Sequence, residues 1–511
     1  MSSVYDTDDS ETVELEIEVT HQMGTEESKF SKIKKPFKII FGPIYERYKK
    51  LEILHATMNF ANSTIGSGVL FLPYVMRHSG LVLGTMLFIG AAFLAWSTIY
   101  FLHCVFVKIS KEKDRPVEYD EIVRYCGGPI LAWMLRLSVI VINFGACCTY
   151  ILTMYNMTSK YYNLAFGWTV KNSKLWIVIA YTIIPMLLSA LPNMKLLGSV
   201  SFFSILVVIV FTIFTIVTFA TQEHKMAFNQ LLQPDKEMIS TLGVLVLAYA
   251  CHTNLTPISR EYNFRDGKKN LKVRLSSAFS TIICVLTFTI IGIFGYAQFG
   301  PNVEKTFILS YTQKETNGII ITIRLLLFFS LALTYPMAAF PCKENIIQFL
   351  NDIVYGILNI KLVYRTAMYS LRRRWNKRKG IPHERSEEEE NDLREYDGTD
   401  HEAYPFKHIS KLAKLYHFAT NLLSAIGIAV GVIIVAYFTE KEGDIFALVG
   451  STASVFCTYV FPTYCFLYTH YSFGLSALKS FRFYWAIAIG LIGILVGSFA
   501  TILKIVDIIT Q

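Results

Sequence analysis

The sequence predicts an all-α polytopic membrane protein of about eleven spans, built as two inverted five-helix halves plus an eleventh helix. Three observations carry that expectation. The 511 residues are 53% hydrophobic and only 17% charged, against roughly 25% charge in a soluble domain. Lysine and arginine collect in alternate loops. The first and sixth apolar segments are both interrupted by polar and helix-breaking residues, at matching places in the two halves.

Windows long enough to cross a bilayer as helix run at 53–76, 81–107, 130–157, 175–192, 197–220, 238–258, 275–299, 317–341, 415–438, 444–468 and 483–506. The fourth is short and holds Pro185. The first begins near Ile53, later than a cleaved signal peptide of roughly 15–30 residues would place it. With the N-terminus in the cytosol, the inner segments from Ser31 onward hold roughly 35 Lys and Arg, against roughly 10 in the outer loops and C-terminus. Arg260, Arg265, Lys268, Lys269, Lys272 and Arg274 form one such inner cluster. The net charge of +9 is therefore the positive-inside signature, and no nucleic-acid partner is expected. Gln511 falls outside or in a lumen.

The domain organisation follows. Residues 1–50 form a cytosolic tail, acidic from Asp6 to Glu16 and basic from Lys32 to Lys50. Its basic part suits anionic lipid headgroups, at about 1 kcal/mol per charge. Residues 51–342 hold spans one to eight, and 343–414 form a cytosolic loop. That loop carries Arg372 to Arg374 and then Glu387 to Glu390, the pattern of a solvated linker. Residues 415–511 hold spans nine to eleven and a short outer C-terminus. The nine cysteines lie in or beside apolar segments without CxxC spacing, so neither a disulfide framework, a metal site nor a cofactor is expected.

The chemistry lies in the two interruptions. Span one contains Asn62-Ser63-Thr64-Ile65-Gly66-Ser67-Gly68, and span six contains Tyr249-Ala250-Cys251-His252-Thr253-Asn254-Leu255-Thr256-Pro257. Irregular backbone at membrane depth survives where it lines a cavity or a ligand. Pro257 lacks an N–H and its ring clashes with the carbonyl of Thr253, so span six is expected to open near there. Freed N–H groups at the start of a half-helix favour a carboxylate, and freed carbonyls at the end of one favour a cation. A glycine at Gly66 or Gly68 permits positive φ and close approach of a ligand. The competing reading of Gly66-Ser67-Gly68 is close helix packing, and that of Pro257 is a simple kink.

Asn62 to Tyr74, NSTIGSGVLFLPY, resembles the first-helix motif of the amino acid/auxin permease superfamily, and within it the sodium-coupled neutral amino acid transporters. Ala250 to Glu261, ACHTNLTPISRE, resembles their sixth-helix motif; Ile323 to Pro341 and Gly443 to Pro462 resemble their eighth and tenth helices. The resemblance covers about residues 50–345 and 415–506. It implies a LeuT-like fold, with substrate at the unwound parts of helices one and six: Ile65, Gly66, Ser67, Gly68, Tyr249, Cys251, His252, Thr253 and Asn254. It implies an ion near Asn62 and Thr334, with Ser330 one turn before Thr334 on the same face. The alternative for both hydroxyls is a bond to the carbonyl four residues back.

Two departures stand out. The loop Thr221 to Glu237 is shorter than the family's, and Thr253-Asn254 replaces a Pro-Glu pair. Span five, Leu197 to Ala220, has no Lys, Arg, Asp, Glu or His. Proton-coupled relatives can place a lysine there, so its absence favours sodium over protons as the coupling ion. His252 is the counter-candidate, because an imidazole titrates near neutrality. Arg136 and Arg324 fall inside spans; each either faces the bundle interior and pairs or snorkels to a surface.

The expectation is a monomeric, ion-coupled amino acid carrier with a neutral substrate, in a plasma, lysosomal or vacuolar membrane. No nucleophile–base arrangement points to an enzyme. The alternative is a membrane amino acid sensor that signals through its cytosolic tail. Deleting residues 1–45 separates the two, since a carrier should still transport.

Overall fold

The computed structural model describes residues 52–113, 115–166, 170–189, 197–221, 233–235, 237–261, 269–311, 317–378, 410–439, 441–471 and 480–510. By contacts the chain divides into Met1–Ala56 and Thr57–Gln511. The first unit is described only over Glu52–Ala56, the start of a helix. The expected tail, residues 1–50, and the charge block Glu387 to Glu390 lie outside the described residues, as does most of the loop between spans five and six.

Nine helices among the described residues are long and apolar enough to cross a membrane. The interrupted first crossing and the shorter helix Ser173–Ser189 bring the total to the eleven predicted. No strand occurs among the described residues. Crossing one is Glu52–Ile65, a 3-10 turn Gly68–Phe71, and Leu72–Ser79. Crossing six is Met238–Ala248, a 3-10 turn His252–Asn254, and Leu255–Glu261. The two breaks therefore sit at the same place in two successive sets of five crossings, with Phe481–Thr510 as the eleventh. This is the LeuT-like arrangement that the motifs implied.

The faces follow from composition. Ile89, Phe93, Ile130, Leu137, Ile184, Ile209 and Leu495 are exposed, as lipid-facing side chains should be. The core gathers Val69, Phe71, Cys147, Ile151, Phe211, Ala248, Phe288, Tyr335 and Phe446 from both halves. Crossing three begins with a short segment from Tyr119 that breaks at Gly128, and Pro129 starts the membrane helix. Proline fits there because the first helical N–H has no partner to lose.

Two features lie beyond the sequence reading. The helix of crossing eight, Gly318–Arg378, continues past Cys342 through the first half of the segment 343–414. Pro336 and Pro341 lie inside it without ending it. Crossing ten, Glu442 to Tyr471, is not uniformly α-helical: Gly450–Ser454 and Phe456–Val460 are π-helical turns. Such turns are rare and concentrate at functional sites.

Candidate functional site

The break in crossing one is built around Gly66, whose φ is +33°. The helix ends at Ile65, turns through Gly66 and Ser67, and resumes as a 3-10 turn. The positive φ is a backbone state glycine enters at no steric cost. The two glycines do different work. A Cβ on Gly66 would stand 3.3 Å from the hydroxyl of Tyr150, on crossing three. A Cβ on Gly68 would meet Ala248 Cβ and Phe446 Cζ, each at 3.2 Å. Gly68 is thus a packing glycine against the end of the first half of crossing six, while Gly66 makes the turn.

In crossing six the chain opens earlier than Pro257 suggested. The α-helix stops at Ala248, and Tyr249 to Cys251 form the turn. Pro257 is the third residue of Leu255–Glu261. In a first turn the missing N–H costs nothing, because no carbonyl waits for it. The proline permits the second half-helix to start there; the opening itself lies upstream.

The breaks face each other. Gly68 packs on Ala248, and the Cys251 thiol lies near the Thr64 hydroxyl, which donates to the Phe60 carbonyl at 2.7 Å. Ile65, Ser67, Gly68, Tyr249, Cys251 and His252 are buried; Gly66, Thr253 and Asn254 are half-buried. Three polar atoms in these breaks, Ser67 Oγ, the Tyr249 hydroxyl and His252 Nδ1, are buried with no hydrogen-bond partner among the described residues. Buried polar groups are normally paired, so a cluster of unpartnered ones at two facing chain breaks has the chemistry of a polar ligand site.

The other ring nitrogen of His252, Nε2, is 2.8 Å from the Thr98 hydroxyl of crossing two. Thr98 Oγ1 also lies 2.9 Å from the Ala95 carbonyl and 3.1 Å from that of Leu94. Its single proton goes to a carbonyl, so Thr98 accepts from Nε2–H. In the neutral ring, Nδ1 is then a bare acceptor. This second-helix tether holds the imidazole in place.

The residues expected at an ion are brought near one another but not into one shell. Asn62 Nδ2 donates to Met337 Sδ at 3.3 Å; Met337 is three residues beyond Thr334 on crossing eight. Thr334 Oγ1 donates to the Ser330 carbonyl at 2.7 Å, the local bond the sequence left open as an alternative. It is also 3.2 Å from Ser204 Oγ on crossing five. Ser330 and Thr334 are both buried.

Sequence reasoning missed Tyr150, Thr98 and Ser204. An aromatic or a hydroxyl inside an apolar segment reads as core or as a local back-bond, and only the packing shows which points at a break. The two arginines resolve toward the interior. Arg136 pairs with Asp120 at 2.6 Å. Arg324 donates to the Tyr161 hydroxyl at 3.1 Å and sits over its ring at 5.6 Å. Both are buried, so neither snorkels.

A helical bundle of eleven crossings, with two opposed breaks at its centre, defines a multi-pass membrane protein of LeuT-like architecture. Residues 49–509 match the family described as transmembrane amino acid transporter protein, and the chain belongs to that family. Among similar proteins are the amino acid transporter AVT6E of Arabidopsis thaliana and the vacuolar amino acid transporter 5 of Schizosaccharomyces pombe. The first is 24% identical over 58% of this chain and 62% of its own length, the second 23% over 60% and 72%. A putative sodium-coupled neutral amino acid transporter 10 of Xenopus laevis is 22% identical over 58% of this chain, but the match spans only 28% of that protein. A solved Eremococcus coleocola manganese transporter aligns with a TM-score of 0.49 at 11% identity, over 90% of this chain and 88% of that one.

Proposed function

We propose that the protein is a secondary active transporter that carries an amino acid by alternating access, driven by an ion, with sodium favoured over protons. One observation carries the reading: two facing chain breaks present unpaired polar atoms and helix ends, with no carboxylate, lysine or arginine in either break. A site without fixed charge of one sign suits a zwitterion. The start of Gly68–Ser79 is the positive end of a half-helix and meets the carboxylate; the ends of Glu52–Ile65 and Met238–Ala248 supply carbonyls for the ammonium. Ser67 and Tyr249 add hydroxyl donors, and His252 Nδ1 adds an acceptor. Tyr150, against Gly66, is placed to close the carboxylate side.

Charge neutrality at the breaks supports a neutral substrate side chain. Sodium is supported by oxygen donors at Asn62, Ser330 and Thr334 and by the uncharged fifth crossing, where Ser204 meets Thr334. The test is reconstitution of the full chain in liposomes, with labelled amino acids screened under sodium and proton gradients imposed separately. Accumulation of a neutral amino acid driven by sodium is expected. Accumulation driven by protons alone would overturn the ion, and binding without gradient-driven accumulation would overturn the carrier reading in favour of a sensor.

A further inference from the structure

The end of the bundle opposite the basic loops, the outer end by the lysine and arginine bias, carries a charge cluster that no part of the transport reading uses. Asp444 Oδ1 is 2.6 Å from Lys305 Nζ and 2.8 Å from Lys504 Nζ, and Lys504 also holds Asp507 at 2.8 Å. Two lysines here serve two aspartates. Glu442, two residues before Asp444, stands outside that balance. It is 4% exposed. Its Oε2 accepts from Asn156 Nδ2 of crossing three at 2.5 Å, and its Oε1 accepts from the Thr306 hydroxyl in the segment between crossings seven and eight. Among the described residues it makes no ion pair.

Lys305, the residue before Thr306, attracts Glu442 but is already paired with Asp444. The half-helix Met238–Ala248 packed beside Glu442 has no titratable side chain. Lys174 of crossing four is committed to the Thr439 carbonyl at 3.0 Å and to the Tyr155 ring of crossing three. Glu304 of the intervening segment and Lys441, the residue before Glu442, are exposed to solvent. A carboxylate buried with neutral partners takes a proton in preference to remaining charged. A protonated Glu442 donates to the Thr306 oxygen, and Thr306 turns its own hydroxyl elsewhere.

The position of Glu442 gives that proton a consequence. Next to the cluster, a small cleft with room for about one water molecule is lined by Tyr74, Ser240, Val244, Asp444, Ala447 and Lys504. Glu442 ties three separate parts of the outer end together across the flank of this cleft. Parting them would hydrate the carboxylate and release the proton.

We propose that Glu442 is a proton-binding site whose occupancy closes the outer end: protonated when crossing ten is joined to Asn156 and Thr306, ionised when they part. The gate half of this inference rests on the alternating-access reading; the proton half does not. The sign follows from linkage. The closed form binds the proton more tightly, so acid at the outer end favours closure and alkali favours opening, with the equilibrium changing by up to about tenfold per pH unit.

The test uses the purified full chain without substrate, so its outcome is independent of what the protein carries. Infrared difference spectra between acid and alkaline pH report a protonated carboxyl. Spin labels at Asn302→Cys and Lys441→Cys, both exposed, report the separation of the intervening segment from the start of crossing ten. The expected result is a carboxyl band that vanishes in Glu442→Gln and survives in Asp444→Asn, together with a label distance that lengthens as pH rises. Thr306→Val keeps the glutamate but removes the acceptor of its proton in the closed form, and should move the midpoint of that transition to lower pH. A label distance independent of pH overturns the proposal, as does a band that persists in Glu442→Gln. An unmoved midpoint in Thr306→Val overturns it even if Glu442→Gln fails to fold.

Discussion

Replacing Gly66 tests the candidate site most directly. Its φ of +33° is strained for any residue with a Cβ, at roughly 1–2 kcal/mol. Alanine adds a Cβ 3.3 Å from the Tyr150 hydroxyl, so the tyrosine must give by a few tenths of an ångström. Together these place Gly66→Ala at about 2 kcal/mol, or roughly 30-fold weaker substrate binding if the strain falls on the site. Valine adds two γ-carbons on a stiff χ1 and must push Tyr150 aside, so Gly66→Val should abolish uptake with surface expression retained. Labelled uptake paired with surface biotinylation reads this, and thermal unfolding in detergent reads the strain. Tyr150→Phe removes the oxygen the alanine meets but not the φ strain. Combined with Gly66→Ala it should restore part of the lost thermal stability, a coupling of about 0.5–1 kcal/mol. Normal uptake by Gly66→Val would refute the assignment of the break as the site. No coupling in the double variant would refute the steric half of the argument.

Other outcomes follow from the same contacts. His252→Ala should leave the pH profile of uptake unchanged in shape while costing about 1–3 kcal/mol of stability, because the buried Thr98 oxygen loses the Nε2–H it accepts from; a lost pH response would instead assign a proton role to the imidazole. Arg136→Ala leaves Asp120 without its ion-pair partner at 2.6 Å and should cost about 3–5 kcal/mol in thermal or denaturant unfolding, an expectation that a variant of wild-type stability would defeat. Thr334→Ala and Ser204→Ala should each raise the sodium concentration needed for half-maximal uptake, and sodium dependence identical to wild type in both would remove the ion from this position.

Much of the architecture was legible because the bilayer imposes a coarse rule. Hydrocarbon demands long apolar helices, so nearly every crossing could be read from composition, and the start of crossing three near residue 130 agrees with Pro129 as its first turn. Both breaks were legible for the complementary reason, since glycine and polar residues at that depth need an explanation. What was not legible depends on which side chain meets which. Gly66 and Gly68 look equivalent in sequence, yet one makes a left-handed turn and the other packs on Ala248. Pro257 drew attention to its own position, while the chain opens eight residues earlier, at Tyr249. Tyr150, Thr98 and Ser204 carry no local signal, because their partners are about 80 to 150 residues away in the chain. Helix continuation past Cys342 was masked by two prolines that the helix simply accommodates.

The π-helical turns of crossing ten have a consequence for how this chain tolerates change. Each wide turn takes in an extra residue, and one residue is about 100° of helical rotation. The stretch before Gly450 and the stretch after Val460 are therefore phased separately, one to seat Glu442 and Asp444 among their partners, the other to aim Cys465 and Thr469 inward. Gly450 is fixed by the Gly243 backbone packed against it, but substitution along Ser451–Val460 alters a contact, whereas loss of one residue there turns half a helix against every neighbour it has. Length, more than identity, is what this segment has to conserve.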